Sequence, residues 1–275
     1  MSQQSTHMPF VRAKDGTNLY VQDWGAGRPI VFLAAWTFNS SVWGEYIAAL
    51  TAAGNRCIAV DRRGHGRSDA PCDGYDVDTL ADDVGAMFEQ RNLRDAVLVA
   101  HSMGTIEAVR YLARHGSARV RKLVLIAPTT PFLKQTADNP DAIPVEFIEA
   151  QNHSIGTDFA KWVVENEAPF VTPDTITETR NWIKAMMLSV AVPIALECRR
   201  TIGMTDSRED LARLSLPTLI LQGDKDASAP LPLTGIKTQK RIKGSRLIVY
   251  EGAPHGLTLT HRERLLGDIS SFIAT

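Results

Sequence analysis

The chain has little cysteine and no long apolar run. Its three cysteines, Cys57, Cys72 and Cys198, are odd in number, far apart and not at metal-ligand spacing. They indicate neither a disulfide framework nor a metal cluster, and they favour a reducing compartment. No apolar stretch approaches the roughly 18 residues of a membrane span, and residues 1–8 lack the apolar core of a signal peptide. We therefore expect a cytoplasmic protein.

An excess of charge of one sign is also absent. With 30 Lys and Arg against 31 Asp and Glu, the formal net charge is −1. That balance gives no general attraction to nucleic acid or to an anionic membrane. A length of 275 residues suits one large α/β domain with an insertion, or two small domains. The expected partner is a small molecule, with neither nucleic acid nor membrane, and the sequence leaves a homo-oligomer open.

Strands and helices alternate along most of the chain. Strands are predicted at 9–14, 18–24, 29–35, 56–60, 96–100, 120–127, 217–222 and 246–250. Helices are predicted from Ser40 or Ser41 to Ala53, from Asp78 or Thr79 to Arg91, and over 103–116, 233–242 and 262–273. This alternation is typical of a doubly wound, mostly parallel sheet, here of eight strands. Ligands bind such sheets outside the carboxyl ends of the strands.

The alternation breaks between residues 129 and 206, where no strand is predicted. Helices are expected there at 144–153, 156–166, 174–187 and 191–202. We expect residues 129–206 to form a helical lid inserted after the sixth strand, over a core domain of residues 1–128 and 207–275. Its large apolar residues are Phe147, Ile155, Phe159, Trp162, Phe170, Trp182, Met186, Met187 and Leu188. Most should pack the lid on the core; the alternative is that a few line an apolar substrate pocket.

One serine stands where a buried strand turns at once into a helix. Residues 96–100 are short and apolar, and Ser102 directly precedes the helical spacing that begins at Met103. A polar residue at that point is either a helix N-cap or a nucleophile held on a tight elbow. Gly104 favours the elbow, because a side chain there would crowd the turn. The usual pattern is Gly-x-Ser-x-Gly, and Ala100 replaces its first glycine, so the motif alone does not decide.

Two further residues complete a chemical set with this serine. Ser102, Asp226 and His255 follow one another in the chain order Ser–Asp–His, each just past a predicted strand. A serine hydroxyl needs an imidazole within hydrogen-bond reach, and that imidazole needs a carboxylate to fix its tautomer. Asp224 is the alternative acid, and His261 is the alternative base.

Four motifs carry a family resemblance over essentially the whole chain outside the lid. They are Asp61-Arg62-Arg63-Gly64-His65-Gly66-Arg67-Ser68, His101-Ser102-Met103-Gly104, Gly223-Asp224-Lys225-Asp226 and Pro254-His255-Gly256. With them the chain resembles the α/β-hydrolase superfamily, in particular its branch of bacterial aryl esterases and cofactor-free haloperoxidase-like enzymes. The resemblance implies the α/β-hydrolase fold and no metal or organic cofactor.

The resemblance also implies the roles of five residues. Ser102 would be the nucleophile, Asp226 the acid and His255 the base. The oxyanion hole would consist of the backbone N–H groups of Trp36 and Met103. We therefore expect a serine hydrolase that cleaves small carboxylic esters, aryl esters in particular, through an acyl-enzyme.

The chain departs from the family pattern around the expected oxyanion hole. Ala34-Ala35 stands where the family usually has His-Gly before the oxyanion aromatic, and Thr105 replaces a common third glycine. The Trp36 amide is therefore expected to be aimed somewhat differently. Haloperoxidase-like relatives often have proline where this chain has Thr37, which favours ordinary hydrolysis over perhydrolysis.

Several rival functions share the expected fold. Epoxide hydrolases and haloalkane dehalogenases place Asp at the nucleophile, so Ser102 argues against both, and residues 129–206 lack the tyrosines that epoxide hydrolases use. Haloperoxidase or perhydrolase, lactonase, C–C hydrolase and cofactor-free dioxygenase activities can keep Ser-His-Asp and stay open. The rival from another class is a non-catalytic ligand-binding homologue.

The remaining histidines and arginines near these motifs are interpreted as structural. His101 should point away from the site if Ser102 points into it, and His65 should hold loops together. Arg62, Arg63 and Arg67 are interpreted as loop anchors or solvated side chains rather than an anion site.

Overall fold

Eight strands form one sheet in the computed structural model, which describes residues 8–275. The strands are β1 (Phe10–Arg12), β2 (Asn18–Gly25), β3 (Pro29–Leu33), β4 (Arg56–Val60), β5 (Ala96–His101), β6 (Val120–Ile126), β7 (Thr218–Gly223) and β8 (Arg246–Tyr250). Their spatial order is β1-β2-β4-β3-β5-β6-β7-β8. The β1–β2 and β2–β4 pairs are antiparallel and the others parallel. The expected doubly wound, mostly parallel sheet of the α/β-hydrolase fold is confirmed.

Helices connect the strands and cover the sheet. They are α1 (Gly44–Ala52), α2 (Val77–Gln90), α3 (Met103–His115), α4 (Val145–Thr157), α5 (Phe159–Glu165), α6 (Thr177–Leu188), α7 (Val192–Met204), α8 (Arg208–Ala212), α9 (Gly235–Arg241), α10 (Leu257–Thr260) and α11 (Arg262–Ala274). All six residues of β5 are buried, as in a strand covered on both faces. One apolar layer includes residues of α1 and α11, and the other includes residues of α2 and α3. The end of β5 therefore lies in the middle of the molecule.

Two helices begin one or two residues earlier than predicted. Asn39 precedes the first helical turn, and its side chain accepts a hydrogen bond from the Ser41 amide at 3.0 Å. Asp76 precedes α2 and accepts from the amides of Asp78 and Thr79, both at 3.0 Å. In both cases the chain offers several polar residues close together, and the cap is the one whose backbone is still extended.

Helices α4 to α7 lie between β6 and β7, in residues 129–206, here called the inserted segment. As predicted, no strand forms there; the extended pairings found in it are the isolated bridges Lys134–Ile143 and Thr136–Asn139. Its division from the core at residues 128 and 207 stays a prediction.

None of the helices in residues 8–275 is by itself long and apolar enough to cross a membrane. Helices α6 and α7 reach that length and composition only as a pair, across a bend of 94°.

Candidate active site

Ser102 occupies a strained turn between β5 and α3. Its backbone has φ 53° and ψ −117°, a region that side-chain-bearing residues rarely adopt. Such a conformation costs about 1–3 kcal/mol and persists only where surrounding contacts impose it. Here the Ser102 N–H donates to the Ile126 carbonyl at 2.9 Å, and its own carbonyl accepts from the Thr105 N–H at 2.8 Å. The Ser102 side chain makes no capping hydrogen bond, so the structure contradicts the N-cap alternative.

Gly104 permits this turn to pack against a neighbouring strand. A Cβ atom at position 104 would lie 2.8 Å from the Leu33 carbonyl oxygen and 2.9 Å from the Leu33 Cβ. The turn can therefore approach β3 only without a side chain, which is the steric reason that favoured the elbow in the sequence.

The structure brings the three predicted side chains into one hydrogen-bonded row. Ser102 Oγ lies 2.8 Å from His255 Nε2, and His255 Nδ1 lies 2.8 Å from Asp226 Oδ2. All three residues are buried, and they follow β5, β7 and β8 at the carboxyl edge of the sheet. With the imidazole proton on Nδ1, His255 donates to the carboxylate and accepts from the serine hydroxyl.

The carboxylate of this row is held by its own loop. Asp226 Oδ1 accepts from the Ser228 N–H at 3.0 Å and from the Ala229 N–H at 2.8 Å. Gln222 Nε2 donates to Oδ2 at 3.2 Å. Oδ2 is thereby left facing the imidazole, and the carboxylate cannot rotate without breaking bonds.

The alternative acid and base lie outside the row. Asp224 accepts the Gly252 N–H at 2.7 Å, and His261 Nδ1 lies 2.9 Å from Thr260 Oγ1. Neither is hydrogen-bonded to His255 or Ser102 in the described part of the chain.

His101 packs beside the loop that carries His255, in keeping with its interpretation as a structural residue. Its Nε2 lies 3.1 Å from the His255 carbonyl oxygen, and the two rings are 5.3 Å apart. Burial lowers the pKa of His101 to about 3, so the ring is neutral at pH 7 and can donate Nε2–H to that carbonyl. His101 thus supports the loop that carries His255, in a structural role.

Residues of the inserted segment lie directly against residues 251–256, the loop that carries His255, here called the histidine loop. The Phe170 ring stands edge-on to the His255 imidazole at 5.6 Å. A Cβ atom at position 256 would lie 2.0 Å from the Phe170 carbonyl oxygen. Gly256 therefore allows the inserted segment to touch the loop next to the imidazole.

A cavity of about 170 Å³ opens onto Ser102 and His255. Of the large apolar residues singled out in residues 129–206, Phe147, Trp162 and Phe170 line it. The buried ones outside its lining are Ile155, Phe159, Met186 and Met187. Most of these side chains therefore pack the inserted segment against the core, as expected. A few line the cavity, as the alternative proposed. Nowhere in residues 8–275 do three or more His, Cys, Asp or Glu side chains gather as a metal site.

Within residues 8–275, the two amides predicted for the oxyanion hole, those of Trp36 and Met103, are not bound to backbone carbonyls. Met103 is the first residue of α3, so its N–H has no partner within the helix. The Trp36 indole N–H donates to the Ala195 carbonyl at 2.9 Å, which fixes the ring.

Arg62 holds the loop that contains Trp36. Its guanidinium donates to the Ala34 carbonyl at 2.7 Å and to the Ala35 carbonyl at 3.2 Å. It also pairs with Glu107 of α3, and both side chains are buried. The loop-anchor interpretation of Arg62 is confirmed, whereas sequence reasoning missed Glu107. Its signal was a carboxylate in the middle of an otherwise apolar helix face.

The other expected anchors also contact neighbouring parts of the chain, in α2, in β2 and in the turn before β2. Arg63 pairs with Asp83 at 2.7 Å and with Asp15 at 2.8 Å, and Arg67 lies 4.6 Å from the centre of the Tyr20 ring. His65 Nδ1 lies 3.0 Å from the Arg63 carbonyl oxygen. These contacts support the structural interpretation of Arg63, Arg67 and His65.

Comparison with known proteins places this architecture in a family. The sequence profile described as "Alpha/beta hydrolase family" matches residues 30–267, so the chain belongs to that family. More narrowly, it is a member of the haloperoxidase-like branch. It is 36% identical over 275 residues to the non-heme chloroperoxidase CPO-A1 of Kitasatospora aureofaciens, covering 97% of this chain and 99% of the relative.

Two further proteins similar to this chain are named as esterases. The chain is 33% identical to the bifunctional esterase/perhydrolase DCH of Acinetobacter calcoaceticus, over 97% of this chain and 99% of that protein. It superposes on the esterase EaEST from Exiguobacterium antarcticum with a TM-score of 0.94 and 29% identity, covering 98% of this chain and all of the other (100%). The family makes the chain a hydrolase.

Proposed function

We propose that this hydrolase is a serine esterase that cleaves small carboxylic esters, aryl esters among them, through an acyl-enzyme. The observation that carries the proposal is the buried row Ser102–His255–Asp226, with 2.8 Å at each link, opening onto a cavity. Similarity to an esterase and to an esterase/perhydrolase supports it.

From this row we infer a role for each side chain. Ser102 Oγ attacks the ester carbonyl carbon while its proton passes to His255 Nε2. Asp226 holds the imidazole tautomer and stabilises the imidazolium that forms. His255 then protonates the leaving alkoxide, and later takes a proton from the water that cleaves the acyl-enzyme.

The amides of Trp36 and Met103 are proposed to bind the oxyanion. Charge develops on the carbonyl oxygen during attack, and two fixed N–H donors stabilise it in a site that excludes water. The Met103 amide also lies at the N-terminus of α3, where the helix dipole favours negative charge.

The size of the cavity sets the expected substrate range. A volume of about 170 Å³ is close to the roughly 150 Å³ of cavities that hold one benzene ring. For 4-nitrophenyl esters from acetate to octanoate, we expect kcat/KM to fall as the acyl chain lengthens. Initial rates with that series, with simple lactones alongside, test the proposal. Failure to hydrolyse any ester would overturn it, and faster turnover of the lactones would make the chain a lactonase.

Perhydrolysis is a second candidate because relatives are named haloperoxidase and perhydrolase. In that reaction hydrogen peroxide, rather than water, attacks the acyl-enzyme, giving a peracid and free Ser102. The residue after Trp36 supports ordinary hydrolysis instead, because this chain has Thr37 where haloperoxidase-like enzymes often have proline. Thr37 has φ 61°, which proline cannot adopt, and its hydroxyl donates to the Trp36 carbonyl at 2.6 Å.

Removing Arg62, which holds the loop that contains Trp36, should lower both the stability of the protein and its rate of ester hydrolysis. In Arg62→Met the Glu107 carboxylate stays buried without its partner, so we expect a loss of about 3–5 kcal/mol in the free energy of unfolding. The Ala34 and Ala35 carbonyls also lose their donors, and displacement of the Trp36 amide should lower kcat by about 100-fold. Urea unfolding and 4-nitrophenyl acetate turnover measure the two effects.

A double variant separates these effects. In Arg62→Met/Glu107→Met no charge is left buried, so much of the stability should return while kcat stays low. Wild-type kcat in the double variant would show that Arg62 does not position the Trp36 amide.

A further inference from the structure

A charged side chain in the wall of the cavity has no counterion among residues 8–275. Arg199 of α7 lines the cavity onto which Ser102 and His255 open. Of the ion pairs found in residues 8–275 none includes Arg199, and no Asp or Glu is among the described residues that line the cavity. By contrast, the next residue, Arg200, is exposed and pairs with Glu197 of the same helix.

Aromatic rings hold the Arg199 guanidinium in place. Its central carbon lies 5.4 Å from the centre of the Trp36 ring and 5.9 Å from that of Trp162. The two rings are fixed, since the Trp36 N–H donates to the Ala195 carbonyl and the Trp162 N–H to Gln151 Oε1, each at 2.9 Å. A ring face attracts the cation but uses none of its N–H donors. The guanidinium is thus positioned and still able to donate.

The charge persists although its surroundings oppose it. Desolvation by burial lowers the pKa of Arg199 to about 10, and no neighbouring carboxylate offsets that effect. The side chain is therefore protonated at neutral pH. Arg199 is half-buried, and a half-buried charge without a partner among the described residues is unfavourable. A group of this kind in a cleft is a candidate for binding an opposite charge.

We propose that Arg199 binds a carboxylate of the substrate, so that the preferred substrates are esters that carry a second, ionised carboxyl group away from the scissile bond. The inference rests on the proposed ester hydrolysis. A carboxylate can accept two parallel hydrogen bonds from the planar guanidinium while Ser102 attacks the ester at the other end. The carboxylate can belong to the acyl or to the alcohol portion, and the chemistry of recognition is the same.

Two matched pairs of substrates test the proposal. Monoethyl glutarate carries the anion on the acyl side, and ethyl 5-methylhexanoate is its uncharged isostere. 4-Acetoxybutanoate carries it on the alcohol side, and 4-methylpentyl acetate is the matching neutral ester. Acid release is followed in a pH-stat at neutral pH. In at least one pair we expect wild-type kcat/KM to favour the anion by about tenfold or more, although an apolar wall alone would favour the neutral ester.

Three variants assign that preference to one side chain. Arg199→Gln should lower the charged-to-neutral ratio by about tenfold or more, and Arg199→Lys should keep part of it. Arg200→Gln, one residue away on the outside of α7, should leave the ratio unchanged. Labelling of Ser102 by a fluorophosphonate reports whether each variant is folded.

The outcomes distinguish this inference from the function on which it rests. Hydrolysis of neutral esters with no preference for the anion in either pair would overturn the role of Arg199 and leave the esterase proposal standing. A preference that survives in Arg199→Gln would do the same. If no ester is hydrolysed, both proposals fail. Should Arg199→Gln not fold, the wild-type ratios and Arg199→Lys decide.

Discussion

Replacing Ser102 with alanine is expected to lower kcat for 4-nitrophenyl acetate on the order of 10⁵-fold. In the proposed mechanism the hydroxyl oxygen forms the acyl-enzyme, and in residues 8–275 its hydrogen-bond partner is the imidazole of His255. Without it, neither covalent bond formation nor proton transfer to Nε2 can occur. Stopped-flow measurement of 4-nitrophenol should show that the initial burst disappears together with the steady-state rate.

Two further variants test whether the loss is chemical. Ser102→Gly should be as inactive as Ser102→Ala but more stable, because glycine adopts φ 53° without the strain imposed on other residues. Ser154→Ala, which removes an exposed hydroxyl bound to the Ala150 carbonyl, should turn over substrate like the wild type. Retained turnover in Ser102→Ala would move the nucleophile elsewhere.

Asp226→Asn is expected to lower kcat by about 10⁴-fold with little change in structure. The two backbone amides of Ser228 and Ala229 bind Oδ1, so an asparagine must keep its carbonyl oxygen there. Its NH₂ group then points at His255 Nδ1 and donates to it. The proton moves to Nε2, and the imidazole can no longer accept the Ser102 hydroxyl.

The rate of Ser102 labelling by a fluorophosphonate should fall together with kcat in Asp226→Asn, because both depend on the same proton acceptor. Asp224→Asn is the matched control, since Asp224 bonds to the Gly252 N–H and not to the imidazole. The reverse result, an active Asp226→Asn and an inactive Asp224→Asn, would transfer the acid role to Asp224.

The sequence predicts the sheet well because each strand has a local signature. The strand at Arg56–Val60 has the predicted bounds, and the strand at 120–127 ends one residue early, at Ile126. Buried strands are short apolar runs between turn residues, and this pattern needs no knowledge of distant contacts. The chain order Ser–Asp–His likewise placed three groups after strands that end at one edge.

Contacts between distant residues were beyond reach of the sequence alone. Arg62 and Glu107 are 45 residues apart, and nothing local indicates that a loop and a helix place them together. The sequence also cannot distinguish Arg199 from Arg200. Only the packing of α7 shows that Arg199 lines the cavity and that Arg200 pairs with Glu197. The short helix α10 was also missed, because four residues give no periodicity to detect.

Gly256 packs so closely against the Phe170 backbone that the histidine loop and the inserted segment are held together at this contact. A carbonyl oxygen occupies the place that any larger residue at position 256 would need. New substrate ranges can therefore evolve through the cavity-lining residues of α4 and α7 more easily than through residues 168–170. An exchange of whole inserted segments between relatives would have to preserve this junction, or the imidazole would lose its alignment with the serine.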